Sequence, residues 1–303
     1  MKLKFSHPED EGIKTSSLIK RFLFIFISTL AILVGITTII YISSARNELS
    51  LIENQELKNT SAISKLIVKS FDSSVSDILF LGAISSRYIC EHGNEAKFLE
   101  EISSFLVNKD YYTKITLIGN DGRILSQIVM EQKEPVRVQL NGKNYRDNPD
   151  YIKTSGIGRG RVYVSDFQLD DGVPVLVFGT PVVDRQKQKK AVLLVNYNCK
   201  PVYDIFRITF EHQTEKNPAY YIINDEGYWI KGPKHEDEFG FLFGNRNEKR
   251  FGYVYPEAWR KIAIDQTGQI FNREGLFTFT TFYPIARAEK TSEQGNAELD
   301  NTS

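Results

Sequence analysis

Residues Lys114–Val129, KITLIGNDGRILSQIV, read as two apolar strands folded back on each other at Asn120-Asp121-Gly122. Such a turn supplies the positive-φ residues that a tight hairpin requires. A second stretch repeats the order. In Ala219–Gly232, AYYIINDEGYWIKG, an apolar run reaches Asn224-Asp225-Glu226-Gly227 and another apolar run comes after it. The two hairpins lie about 105 residues apart, too wide for a solenoid and close to the size of a small domain. The spacing predicts two copies of one α/β module.

Between the hairpins, Arg161–Gln168, Val173–Val183 and Ala191–Tyr197 read as strands, separated by the turn-rich LDDG and VDRQKQKK segments. Strands at that spacing predict an antiparallel sheet rather than βαβ alternation. Asp170-Asp171 precede Gly172, and a hairpin turn accounts for both carboxylates. From Lys200 a helix and linker lead into the second module, which adds a short helix at Pro256–Ile264 and a strand at Leu276–Tyr283. The polar tail after Ile285 lacks apolar periodicity and is expected to be disordered.

Toward the N-terminus, Ser43–Arg87 contains no proline and places Leu51, Leu57, Ile63, Leu66, Ile67, Phe71, Val75, Ile78 and Leu79 mostly at helical intervals. A long amphipathic helix is predicted there, followed by a second at Glu95–Val107. Before it, Phe22–Ile42 carries no charge and spans about 30 Å as a helix, the thickness of the bilayer hydrocarbon. It is too long for a signal-peptide core and lacks a good cleavage site. Lys14, Lys20 and Arg21 precede it while Arg46, Glu48 and Glu53 come after it, so the positive-inside rule puts the N-terminus in the cytoplasm. A single-pass inner-membrane protein is expected, with the residues beyond the span exported to the periplasm.

The balance of 38 basic and 38 acidic residues gives no pull toward nucleic acid. With only Cys90 and Cys199, the chain is neither a disulfide scaffold nor a Cys-type zinc protein. One bridge between them and two buried, unpaired thiols both remain open. GxSxG, P-loop and HExxH patterns are absent. His235 stands in HEDEF without a second histidine, so a solvated charged turn is expected there and no metal or cofactor. GIGRGR, Gly156–Arg161, leads into a strand rather than a helix, unlike a nucleotide fingerprint. No catalytic residue is expected. Tyr145, Arg146, Tyr151, Arg161, Tyr163 and Asp166 cluster in sequence. Aromatics with a few fixed polar groups suit a small-ligand pocket, and arginine suits a carboxylate; sheet-surface aromatics with solvated arginines are the other reading.

NYRDNPDYIKTSGIGRGRVYVSDFQLDDG, PVLVFGTPVVDRQKQKKAVLLVNYN and YPEAWRKIAIDQTGQIFNREGLFTFTTFYP, in this order, resemble the double Cache sensor domain of bacterial membrane receptors. The resemblance covers about residues 45 to 285. It implies an α/β (α+β) fold: cytoplasmic residues 1–21, a transmembrane helix 22–42, a stalk helix 43–90, a membrane-distal PAS-like module 91–208, a membrane-proximal one 209–285 and a tail 286–303. It further implies a small ligand in the distal module, signalling through the long helix and a homodimer formed along that helix. Family members that bind amino acids carry an arginine and a tryptophan around a proline, where Asn148-Pro149-Asp150 stands here. Their later aspartate corresponds to Asn196, while Tyr163 keeps its place. These departures point away from an amino-acid ligand. Kinase, cyclase or chemotaxis output domains normally come after such sensors, so the chain reads either as a receptor's sensor fragment or as a short protein. A membrane-tethered module that recognises a partner protein is the alternative function.

Overall fold

A computed structural model of the chain describes residues 15–90, 94–139, 142, 144–210, 219–244, 246 and 248–283. The expected tail, His7, His92 and His212 lie outside these residues. The chain divides into two units at Lys58/Asn59. The first holds the opening part of helix α1 (Thr15–Cys90), including the uncharged Phe22–Ile42 segment. Its apolar side chains face outward there, and α1 is the one described helix long and apolar enough to cross a membrane.

In the second unit, α1 buries Ile63, Ile67, Phe71, Val75, Ile78, Leu81 and Ile84, one stripe at three- and four-residue steps. Asn94 caps α2 (Glu95–Asn108) through a hydrogen bond from the Ala96 amide to its side chain, and α2 buries Phe98, Ile102 and Leu106. Both stripes pack on one face of an antiparallel sheet. Its strands are β1 (Tyr112–Gly119), β2 (Ile124–Glu131), β3 (Glu134–Arg137), β4 (Tyr163–Val164), β5 (Gln168–Asp170), β6 (Val173–Val183) and β7 (Lys189–Tyr197). The order is β3-β2-β1-β7-β6-β4, with β5 also paired to β6. The short helices α3 (Pro149–Gly156) and α4 (Lys200–Phe210) complete the module.

Strand β7 shows how the sheet is shared. Ala191, Leu193, Val195 and Tyr197 enter the core under the helices, while Val192 and Leu194 enter a smaller cluster with Ile118, Tyr151 and Val177 on the other face. Both faces are covered, so the strand reads as a continuous apolar run rather than an alternation.

The second hairpin also forms, as β8 (Ile222–Ile223) and β9 (Trp229–Lys231). Its module holds two small sheets rather than one. β8–β9 and the pair β10 (Thr267–Asn272) and β11 (Gly275–Thr280) are separate two-stranded sheets. Trp229 joins them around Phe251 of α5 (Phe251–Val254) and Ala258 of α6 (Pro256–Ile262), with Ile270 and Phe277 against the cluster. An isolated two-stranded hairpin is marginal in water, and side-chain packing supplies here what a shared sheet would.

Two expectations need correction. Asp171 and Gly172 form the β5–β6 turn with positive φ, but Asp170 belongs to β5 and is ion-paired, so the turn explains only one of the two carboxylates. The charged stretch at His235 is not wholly solvated. The Glu238 side chain is 1% exposed and accepts from Lys231 Nζ (2.6 Å), the Gly232 amide (3.2 Å) and His235 Nδ1 (2.7 Å). Cys90 and Cys199 are both free; Cys199 is buried, which pushes its thiol up, and Cys90 is only partly covered.

Candidate functional site

The sheet face away from α1 and α2 brings together side chains from five places in the sequence. Register puts Lys114 and Thr116 of β1 opposite Asn196 and Leu194 of β7, with Val177 and Gly179 of β6 beyond them. Tyr163 pairs with Gly179, Gln168 with Val175 and Asp170 with Val173, so β4 and β5 present these three side chains to the same face. A β-bulge between Tyr112 and Lys114 sets the alternation. It turns Tyr112 toward the helices and Lys114 toward this face, the kind of re-aiming for which bulges are used.

The loop before α3 is held against the first hairpin. Gly122 has φ +79°, and a Cβ there would meet the Arg146 backbone nitrogen at 2.9 Å. Its carbonyl accepts from the Tyr145 amide at 2.8 Å. Glycine is therefore required both for the turn and for the close approach of Tyr145-Arg146. Asn148 caps α3 by accepting from the Tyr151 amide at 3.0 Å, and Pro149 takes the first helical turn, where its missing N–H costs nothing. Tyr151 then donates its hydroxyl to the Gly119 and Asn120 carbonyls, both at 3.1 Å.

Two polar groupings result. Asp150 is 9% exposed and accepts from Tyr163 Oη (2.9 Å) and Gln168 Nε2 (3.0 Å). Burial, and then the Asp150 carboxylate, raise the Tyr163 phenol well above its ordinary range, so it stays a donor. Asp170 accepts from Lys114 Nζ (2.5 and 2.7 Å) and Asn196 Nδ2 (2.7 Å). Around them stand Tyr145, Tyr151, Ile118, Val177, Val192 and Leu194.

Of the residues expected from sequence, Tyr145, Tyr151, Tyr163 and Asn196 lie together here. Arg146, Arg161 and Asp166 are exposed, and the Arg161 carbonyl accepts from Thr180 Oγ1. Motif reading misses Lys114, Asp150, Gln168 and Asp170. A period-two reading finds three of them: Lys114-Thr116-Ile118 and Gln168-x-Asp170 each put a polar side chain on the face that Asn196 marks.

Helix α3 approaches β6 closely. A Cβ on Gly179 would overlap Thr154 Oγ1 and lie 2.8 Å from Thr154 Cγ2 and 3.0 Å from Leu194 Cδ2. Gly179→Ala is expected to lift α3 and lower stability by about 1–3 kcal/mol. Thermal unfolding checks this, and Thr154→Ala added to it should recover most of the loss. Equal stability of G179A and wild type would show that α3 is not seated as described.

Residues 73–291 match the sequence profile of the bacterial histidine kinase sensor domain. A search of curated protein sequences returned no match. Among solved structures, the extracellular domain of vpHK1S-Z8, named a histidine kinase, is similar with a TM-score of 0.66 at 16% identity, covering 80% of this chain and 91% of that one. A domain of a sensory box/GGDEF family protein from Vibrio parahaemolyticus is similar at 0.63 and 15%, covering 78% and 92%. The ligand-binding domain of the amino-acid chemoreceptor PctC of Pseudomonas aeruginosa PAO1, in complex with GABA, is similar at 0.50 and 13%, covering 72% and 88%.

Proposed function

The chain belongs to the family of bacterial histidine kinase sensor domains, and on that premise we propose that the face built by Lys114, Asp150, Tyr163, Gln168, Asp170 and Asn196 binds a small ligand. The observation that carries this reading is the pair of carboxylates, Asp150 and Asp170, hydrogen-bonded among tyrosines and aliphatic side chains on one covered sheet face. A few fixed polar groups in an apolar, aromatic lining are what a small-molecule site consists of. The neighbouring domain of PctC holds GABA, which supports a small organic ligand for this fold. Tyr145 and Tyr151 line the face, while Arg146, Arg161 and Asp166 are exposed.

The same reading places Phe22–Ile42 in the inner membrane as a single span, with the N-terminus in the cytoplasm and the sensor modules in the periplasm. Signal passes to α1, along which two copies pair. The route is β1. On one side of its bulge Tyr112 Oη donates to Asp77 of α1 (3.0 Å), and on the other Lys114 meets Asp170. A ligand that redraws the Lys114–Asp170 contact shifts β1 against α1, to the extent that it binds the two arrangements with different affinity.

The test is thermal unfolding of the full chain in detergent micelles against organic acids, amines and amino acids. One compound class should stabilise it, by about 2.7 kcal/mol at a hundred times its Kd. The stabilisation should be lost in Tyr163→Phe or Asn196→Ala. A screen without any stabiliser sinks the assignment and leaves recognition of a protein partner as the function.

A further inference from the structure

Tyr163 of β4 and Gln168 of β5 both donate to Asp150, so this carboxylate clamps the two ends of the stretch between them. Within that stretch Ser165 is fixed to β6. Its amide donates to the Val177 carbonyl (2.9 Å), and its hydroxyl accepts from the Val177 amide (2.8 Å). Asp166 is exposed. Phe167 is the residue that turns away from the face. Neighbours in an extended segment point to opposite sides, and here Gln168 reaches Asp150 while Phe167 reaches the second module.

The two modules meet there ring to ring. The Phe167 ring centre lies 5.1 Å from that of Phe239 and 6.3 Å from that of Phe241, both edge to face. That is a preferred geometry for aromatic pairs. Phe241 in turn lies 5.7 Å from Tyr228, and the Phe239 amide donates to the Trp229 carbonyl of β9 at 2.7 Å. Phe239 is 5% exposed and holds φ +54°, the left-handed region that a residue with a Cβ rarely adopts. Such a backbone persists only where its surroundings over-determine it, and positions of this kind collect at switch regions. Here the surroundings are the Trp229 bond, the buried Glu238 just before it, and a ring from the other module. Another tie between the modules, Tyr203 Oη to the Ile230 carbonyl (3.2 Å), starts from α4 and not from the face.

We infer that Phe167 is the positioning residue through which the Asp150 cluster controls the second module. A ligand that draws Tyr163 or Gln168 away from Asp150 unclamps the stretch that carries Phe167. The ring then shifts against Phe239, and the left-handed turn behind it loses one of the contacts that hold it. The inference rests on the face being the small-ligand site and gives that site a second output: β1 leads to α1, and Phe167 leads to the hairpin of Tyr228 and Trp229. Coupling of this kind passes through packed side chains that have two arrangements.

The experiment needs no ligand. Amide hydrogen exchange of the full chain in detergent micelles is compared among wild type, Gln168→Ala, Phe167→Ala and the double variant. Gln168→Ala removes one donor from Asp150 and should speed exchange across Tyr228–Phe243 at least about fivefold, while α2 exchanges as in wild type. In the Phe167→Ala background the same substitution should add nothing there. Tryptophan emission gives a second readout, because the chain's two tryptophans, Trp229 and Trp259, both lie in the second module. It should shift in Gln168→Ala and be the same in Phe167→Ala and the double variant. An unchanged Tyr228–Phe243, equal speeding in α2, or an effect that survives Phe167→Ala overturns the inference. If Phe167→Ala does not fold, Gln168→Ala decides alone by whether Tyr228–Phe243 responds and α2 does not. The thermal screen stands apart from this: a stabilising compound without the coupling sinks the Phe167 link only, and the coupling without any stabiliser sinks only the ligand.

Discussion

Lys231→Met should destabilise the second module by about 3–5 kcal/mol, more than any other single substitution on the Glu238 cluster. The reason is an asymmetry in burial. The Glu238 side chain is 1% exposed and that of Lys231 is 32% exposed. Removing the lysine strands a carboxylate that cannot reach water, with only the Gly232 amide and the outer His235 ring still donating to it. Removing the carboxylate instead leaves an ammonium that can turn outward, since a lysine stem packs on apolar surface while its head finds solvent. Glu238→Gln should therefore cost clearly less than Lys231→Met. The Tyr203 ring, 5.9 Å from Lys231 Nζ, and the Tyr203 hydroxyl bonded to the Ile230 carbonyl tie this cluster to α4. Urea unfolding of the two variants side by side gives the comparison. Equal losses would show that the pair acts as a surface ion pair, whose worth is usually below about 1 kcal/mol.

That cluster also shows where reading the sequence stops. HEDEF looks like a solvated run because its charges are consecutive, yet the chain turns through a one-turn helix at His235–Asp237 and Phe239 takes φ +54°. The turn carries Glu238 inward, and nothing in composition or periodicity marks that residue apart from Glu236. Where the local rule is strong, the outcome is legible. Gly122 and Gly227 have φ +79° and +82°, and their amides donate to Gly119 and Asn224 as the two hairpin turns require. The stripe of α1 from Ile63 to Ile78, the ends of β6 and the existence of α2 emerge from period and length in the same way, whereas Leu51 and Leu66, which the same period includes, are exposed. The candidate site is half legible. Tyr151 and Tyr163 stand out as aromatics close to arginines in sequence, and Asn196 only through the family resemblance. Asp150 does not, because an aspartate after Asn-Pro is fully explained as a helix-start residue. Its second use, accepting from Tyr163 and Gln168, depends on contacts 13 and 18 residues away that only the sheet register creates.

Asp77→Ala is expected to lower stability by about 3 kcal/mol, because one carboxylate serves three donors at the seam between α1 and β1. Tyr112 Oη lies 3.0 Å from it, Lys109 Nζ 3.1 Å and Tyr111 Oη 3.4 Å. The lysine pair is partly exposed and contributes little. Tyr112 is the costly partner: it is fully buried, and burial raises its phenol far above the ordinary range, so it must remain a neutral donor. Tyr112→Phe alone should cost about 1 kcal/mol, since Asp77 keeps its other donors. The double variant should cost less than the sum of the two. Hydrogen exchange should show α1 from Ile63 to Ile84 opening more readily in Asp77→Ala, while binding of any ligand found for the Asp150 face is retained. If the two substitutions are strictly additive, Asp77 and Tyr112 do not act together, and the bulge between Tyr112 and Lys114 cannot be the joint through which the ligand face moves the helix.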